Sequence, residues 1–292
     1  MKKSTKTDRA QIVNRTLNYI YHYLDSPITL ETLAELNHIS PYHLHRLFKE
    51  EYGETLHVTL QSIRLQKAAS LILTNHLSSV SEIASQCGYT SHTAFIRAFK
   101  GRFSLTPTAW RKGGYLAYAD SIIAQSESAS RSTRDFTGLT PEFAAMPARD
   151  VVYIRHKGYG RSIKESWQRL AAYAYQHDLP RSAAQIGLHH DNPTITPLDS
   201  CSYVACLEVD KTFEPTGSIS KMTIPESYCA VFRCEGAYGD VLQMMHHIYH
   251  RWLPKSGYEA KTLPAYVIYE KNHFLDADER FRIRFCLPVS VI

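Results

Sequence analysis

The sequence predicts an all-α domain with two helix-turn-helix units, followed by an α+β domain of two strand–helix–strand–strand repeats with pseudo-twofold symmetry. Three observations carry that reading. Apolar spacing is helical through residue 115, and β-branched and aromatic runs enter only after residue 138. A helix–turn–helix pattern occurs twice in the first part, Ala34 recurring as Ala84 and Arg46, Phe48 and Lys49 as Arg97, Phe99 and Lys100. A strand closed by a glycine turn occurs twice in the second part, Tyr153–Gly160 paralleling Val231–Gly239. The chain thus divides into residues 8–115, a linker at 116–137, and residues 138–292.

Composition narrows the class. With 44% hydrophobic and 21% charged residues, the chain is neither disordered nor a disulfide scaffold. No run of 18 apolar residues occurs, and no apolar core follows the basic start, so neither a membrane span nor a signal peptide is expected. The six cysteines form no Cys-x-x-Cys and read as reduced thiols of a cytoplasmic protein, with Cys201–Cys206 or Cys229–Cys234 pairing as the alternative. Charge is uneven. Residues 1–115 hold 14 Lys and Arg against 8 Asp and Glu, a net of +6, whereas the remainder is at −1. A basic module suits a polyanion such as double-stranded DNA, although a solvated surface has the same composition.

In the helical part, Ser40 with Pro41 starts one helix, Ser79-x-x-Glu82 is a capping box before another, Ser91 or Thr90 caps a third, and Gly88 suits the turn between them. The second helix of each unit has two faces. Leu44, Leu47 and Phe48 build one core, and Phe95, Ala98 and Phe99 the other. The opposite faces carry Tyr42, His45, Arg46 and Lys49 in the first copy and His92, Thr93, Ile96, Arg97 and Lys100 in the second. A helix fits the major groove, arginine can donate two bonds to guanine, and the lysines one turn on suit phosphates. Between the units, a helical pattern from Leu56 to Thr74 gives a strut of ~27 Å, against ~34 Å for one DNA turn. The stretch Ala117–Thr137 is serine-rich and reads as a flexible linker with a short helix at its start.

Residues 12–111 resemble the AraC/XylS-type DNA-binding domain. The signature lies in Ile83-Ala84, Cys87-Gly88-Tyr89, Phe95, Arg97-Ala98-Phe99-Lys100, Phe103, Thr106-Pro107 and Trp110-Arg111. The resemblance implies seven helices and transcriptional control. It implies that Tyr42, His45 and Arg46 face bases from the first unit, and His92, Thr93, Ile96 and Arg97 from the second. Ile96 stands where many relatives have a polar residue, and meets either a thymine methyl or no base at all.

In the second part each glycine turn leads into a helix, the first carrying Trp167 and Leu170, the second Leu242, Met245 and Ile248. Two such repeats packed as a pseudo-twofold pair leave a cleft whose aromatics suit a planar, greasy ligand, or serve only as core. Residues 138–292 resemble the GyrI-like effector-binding domain, on Gly158-Tyr159-Gly160, Trp167, Ile186–Pro193, Cys201–Cys206, Gly236-Ala237-Tyr238, Trp252–Tyr258 and Pro264–Tyr269. The order of the two parts resembles the Rob type of regulator. The effector pocket is expected at Trp167, Tyr203, Val267 and Tyr269. Val267 departs from the family pattern, in which a glutamate usually stands there. Residues 267 and 269 share one strand face and Glu270 the other, so Glu270 replaces the acid only in a bulged or shifted strand. Without that carboxylate the expected effector is an aromatic compound that is neutral or anionic rather than cationic.

Other features carry less. His246 and His250 are spaced i, i+4, but no third ligand or His-Glu-x-x-His follows, so helix packing is expected and no metal. His189-His190-Asp191 reads as a loop after a strand, with Asp191-Asn192-Pro193 as a turn. There is no phosphate loop or Gly-x-Ser-x-Gly. No catalytic residue, enzymatic activity or cofactor is expected. A protein partner of the second domain, such as RNA polymerase or a topoisomerase, and residual hydrolase activity resting on Tyr269 are the alternatives.

Overall fold

The computed structural model describes residues 6–24, 26–261 and 263–291; the basic start at 1–5 lies outside them. Six helices open the chain: α1 (Lys6–His22), α2 (Leu30–Leu36), α3 (Pro41–Tyr52), α4 (Leu56–Thr74), α5 (Val80–Gln86) and α6 (His92–Phe103). Their starts follow the sequence chemistry. Ser40 accepts from the His43 N–H with Pro41 in the first turn, Ser79 and Glu82 form the reciprocal box, and it is Ser91, not Thr90, that caps α6. Gly88 turns the chain at φ +77°. The strut α4 serves two cores. Leu56 and Ile63 pack with Leu44, Leu47 and Phe48, whereas Leu65 to Leu73 pack with Phe95, Phe99, Phe103 and Trp110.

The linker differs from expectation. After a short turn α7 (Pro107–Ala109), the chain widens through Trp110–Gly114 and continues as α8 (Tyr115–Ala124) and α9 (Glu127–Ser130). Ala119, Ile122, Ile123 and Ala129 are buried. The serine-rich composition therefore hides a docked helical strap, held because a few alanine and isoleucine side chains find apolar partners such as Leu242.

The strands are β1 (Glu142–Met146), β2 (Arg149–Lys157), β3 (Gln185–His189), β4 (Ser202–Glu208), β5 (Ser220–Ile224), β6 (Ser227–Ala237), β7 (Tyr258–Ala260), β8 (Ala265–Lys271) and β9 (Arg280–Val291). The antiparallel order β1-β6-β9-β8-β3-β4-β2-β5 is symmetric about the β8–β3 pair, with β7 added on β9. Helix α10 (Ile163–Gln176) lies against β2 and β4, and α11 (Asp240–His247) against β6. The two predicted repeats are thus β2-α10-β3-β4 and β6-α11-β8-β9. One sheet face packs under the helices. On the other, Met146 of β1 and Ile224 of β5 join one cluster with Ile186, Val204 and Tyr266, so the sheet curls until its edges share a core.

All six cysteines are buried and free, as expected, and neither candidate disulfide is formed. Among the described residues, no helix is long and apolar enough to cross a membrane.

Candidate nucleic-acid interface and ligand cavity

The polar faces of α3 and α6 remain open in the full chain. Tyr42 is 75% exposed, and His45, Arg46, Lys49, His92, Thr93, Arg97 and Lys100 are exposed as well. Ile96 differs: it is half-buried against the core of the second unit. Arg46 lies 3.6 Å from Glu50, whose carboxylate also meets Arg9. Arg97 makes no such ion pair among the described residues.

The second domain docks on the other side of this head, through α1, α4 and the end of α3. Arg155 of β2 donates to Asn14 (3.0 Å) and Asn18 (2.5 Å), Asn18 donates to the Tyr153 hydroxyl (3.0 Å), and Lys157 reaches Glu54 (2.7 Å). The β3–β4 loop fits between the domains. His190 stacks on Tyr21 with ring centroids 3.8 Å apart, and Ile195 enters the core of the second unit. Asp191 accepts the Ser202 N–H at 2.6 Å, and the Ser202 hydroxyl bonds Tyr52 at 3.1 Å. Burial pushes the Asp191 carboxyl up to about 6. Burial and the nearby Arg155 cation push the His190 ring well below its ordinary range.

The expected loop at 189–193 is therefore both correct and incomplete. Asn192 makes the turn, accepting from Thr194 N and Oγ1. His189, however, ends β3, and His190, Asp191 and Ile195 form the interdomain contact. The signal available in the sequence was a single isoleucine, Ile195, among small polar residues after the adjacent His189 and His190, too weak to indicate burial.

The four expected pocket residues meet on the helix-covered face of the sheet. Trp167 Nε1 donates to the Tyr203 hydroxyl at 3.1 Å, which bonds the Tyr269 hydroxyl at 3.0 Å, and Trp167 meets Tyr269 edge-on. Val267 pairs with Gly187 across the symmetry line. Gly187 is required there, because a Cβ would stand 2.3 Å from the Tyr203 hydroxyl. This cluster is packed closed. Of the four, Trp167 borders a cavity of about 460 Å³, lined also by Leu170, Asp178, Arg181, Gln185 and Leu275. Strand β8 is indeed bulged between Tyr269 and Lys271, yet Glu270 still points away, toward Arg233 and Arg284 at 3.9 and 3.7 Å on the opposite face. Glu270 therefore does not take the place of the missing glutamate.

The histidine pair packs between helices. His250 bonds the Thr194 hydroxyl at 2.7 Å, and His246 lies 3.0 Å from Asp120 of α8. Among the described residues, no group of three or more His, Cys, Asp or Glu side chains is placed to hold a metal.

Comparison with known proteins adds the following. Residues 139–290, more than half of the chain, match the GyrI-like small molecule binding domain, and residues 33–113 match a helix-turn-helix domain. The xylose operon regulatory protein of Escherichia coli K12 is 35% identical over 105 residues, covering 36% of this chain and 26% of that protein. The transcriptional regulator Rob of Salmonella typhimurium is 35% identical over 106 residues, covering 36% of each. The chain thus spans between a quarter and about a third of the length of these curated relatives. Among solved structures, the C-terminal domain of AraT, a response regulator from Geobacillus stearothermophilus, is 35% identical over 35% of this chain and 84% of that one, with a TM-score of 0.33.

Proposed function

The chain belongs to the GyrI-like family and carries an AraC-type helix-turn-helix domain ahead of it, and from that premise we propose that it is a sequence-specific, DNA-binding transcription regulator governed by a small-molecule effector. The observation that carries this reading is the placement of the two domains. The effector domain covers α1 and α4 and leaves both reading faces exposed. Arg46 and Arg97 anchor α3 and α6 on guanine edges, Lys49 and Lys100 meet phosphates, and Tyr42, His45, His92 and Thr93 complete the contacts. Ile96, half-buried, adds at most an apolar edge.

The effector enters the cavity beside Trp167. It is an aromatic or hydrophobic compound, neutral or anionic, because the two charged residues on the cavity, Asp178 and Arg181, are exposed and of opposite sign and no buried carboxylate offsets a cation there. Its effect reaches the head through adjacent residues. Trp167 bonds Tyr203, Tyr203 meets His189 edge-on, and His190, the next residue, stacks on Tyr21 of α1. An effector that shifts Trp167 thus changes the docking that α1 and α3 experience, which is a difference in affinity between two arrangements.

Fluorescence anisotropy of the full chain on its own upstream DNA, over a salt series, tests the reading. Arg46→Ala and Arg97→Ala each lose affinity on the specific site and little on random DNA. Equal, weak binding by all three proteins with one salt slope would refute base reading by these helices. The closed Trp167–Tyr203–Tyr269 cluster favours a second reading, in which this domain takes a protein partner such as RNA polymerase. A screen of neutral, anionic and cationic aromatics that yields no thermal shift selects it.

A further inference from the structure

We propose that the groove between residues 134–140 and the helical stretch from α11 to Lys255 is a separate binding site for a planar aromatic carboxylate. It shares no residue with the cavity beside Trp167 and does not depend on what that cavity binds. The groove encloses about 760 Å³.

Its chemistry is one-sided. His247 at the end of α11, Arg251 in the wider turn that follows it and Lys255 beyond all line one wall. Arg251 and Lys255 are exposed, and neither forms an ion pair with any described residue. Arg134 on the facing wall is already committed, to the Glu235 carbonyl and, at 4.0 Å, to Asp240. Asp135 is the one carboxylate that borders the groove, and its oxygens are taken by Thr137 N and Oγ1 at 2.9 and 2.8 Å. Arg251 and Lys255, unpaired among the described residues, therefore face the open groove, while Asp135 lies beside His247.

The floor is apolar. Phe136 is buried, and the Trp252 indole is half-buried, its inner edge against Phe232. A carboxylate bonded by the planar Arg251 fork, with Lys255 beside it, would place an attached ring over Trp252. Phosphate-rich duplexes are gripped by open basic stripes, whereas a two-walled groove with a hydrophobic floor and few charges has the form of a small-molecule site.

The test is isothermal titration of the full chain with 2-naphthoate and with its neutral counterpart 2-naphthalenemethanol. We expect the acid to bind more tightly than the alcohol by about tenfold, the scale of a charge-assisted hydrogen bond, and Arg251→Gln/Lys255→Gln to abolish that preference. Both substituted side chains are exposed, so the variant keeps the parent Tm, which is measured alongside. Equal affinities for acid and alcohol, no heat with the acid at millimolar concentration, or an unchanged preference in the double variant would each overturn the proposal.

Discussion

The two reading units share one motif but are anchored differently. The first unit has an aliphatic core, and polar contacts tie it to the effector domain: Asn14 and Asn18 to Arg155, Tyr52 to Ser202, Glu54 to Lys157. The second is built on an aromatic chain, Phe95–Phe99–Phe103–Trp110. It is locked to the end of α4, where the Trp110 indole donates to the Ala69 carbonyl and Arg111 donates to the carbonyls of Ile72, Asn75 and Ser78. Among its ties to the effector domain is the buried Ile195. A part-buried polar bond is worth about 1 kcal/mol net, whereas an apolar plug leaves a cavity when withdrawn. The two units are therefore held to the second domain by different kinds of contact.

The largest expected effect tests that contrast. Ile195 is 2% exposed, and Ile195→Ala should lower stability by about 2–5 kcal/mol, the range for truncating a buried isoleucine. Asn18→Ala removes two hydrogen bonds, one of them from the Arg155 guanidinium, and should cost about 2 kcal/mol, the low end of the Ile195→Ala range. Urea denaturation of both variants measures the difference. If Asn18→Ala costs as much as Ile195→Ala, the two attachments are equivalent and the distinction between the units is lost.

Next in size is the DNA contact itself. Arg97 is uncommitted, while Arg46 must first leave Glu50. Arg97→Ala should therefore lose about 1–3 kcal/mol on the specific site, the range for a bidentate guanine contact. Arg46→Ala should lose less, because part of the wild-type contact is offset by the broken ion pair. Anisotropy titrations at one salt concentration compare the two, and a larger loss for Arg46→Ala would reverse the ranking.

Much of this was legible in the sequence, for definable reasons. Capping at Ser40 and Ser79 depends on residues three apart, and the duplicated helix pattern repeats residue by residue, so local spacing sufficed. The twin strand–helix–strand–strand repeats were legible in the same way, down to Val267 and Tyr269 sharing a face. Two things were not. The strap at 115–130 reads as flexible because serine dominates its composition, and only its partners across the interface reveal the buried stripe. The β3–β4 loop reads as a turn because its burial is supplied by α1 and α4, residues far away in the chain. The open cavity also lies beside Trp167 rather than among all four expected residues, since Tyr203 and Tyr269 satisfy each other's hydroxyls and close the space between them.

A smaller effect concerns pH. Asp191 is buried between the domains, and burial raises its carboxyl from the ordinary 3.8 to about 6. The folded chain thus holds this proton more tightly than the unfolded one. The stability it contributes is complete below pH ~4 and is lost as pH rises through about 6. Asp191→Asn keeps an acceptor for the Ser202 N–H but cannot ionise. Between pH 5 and pH 8 the Tm of the wild type should fall relative to that of Asp191→Asn, and parallel curves would show that the loop does not carry this titration.

The smallest effect separates the two reading faces once more. Glu50 is half-exposed on α3, pairs with Arg46 and Arg9, and places a negative charge on a helix that must approach phosphates. No acid stands at the matching place on α6, where Gly101 follows Lys100. Glu50→Gln frees Arg46 and removes like-charge repulsion, so binding should tighten by a few tenths of a kcal/mol to roughly 1 kcal/mol, the worth of an exposed ion pair. Because repulsion from phosphates does not depend on base sequence, part of that gain should appear on random DNA and shrink as salt rises. Release of Arg46 acts on the specific site alone. Measuring both duplexes at two salt concentrations divides the gain between the causes. A gain confined to the specific site means that Glu50 tunes base reading by α3, whereas an equal gain on both means that it only weakens the grip of the first unit on the backbone.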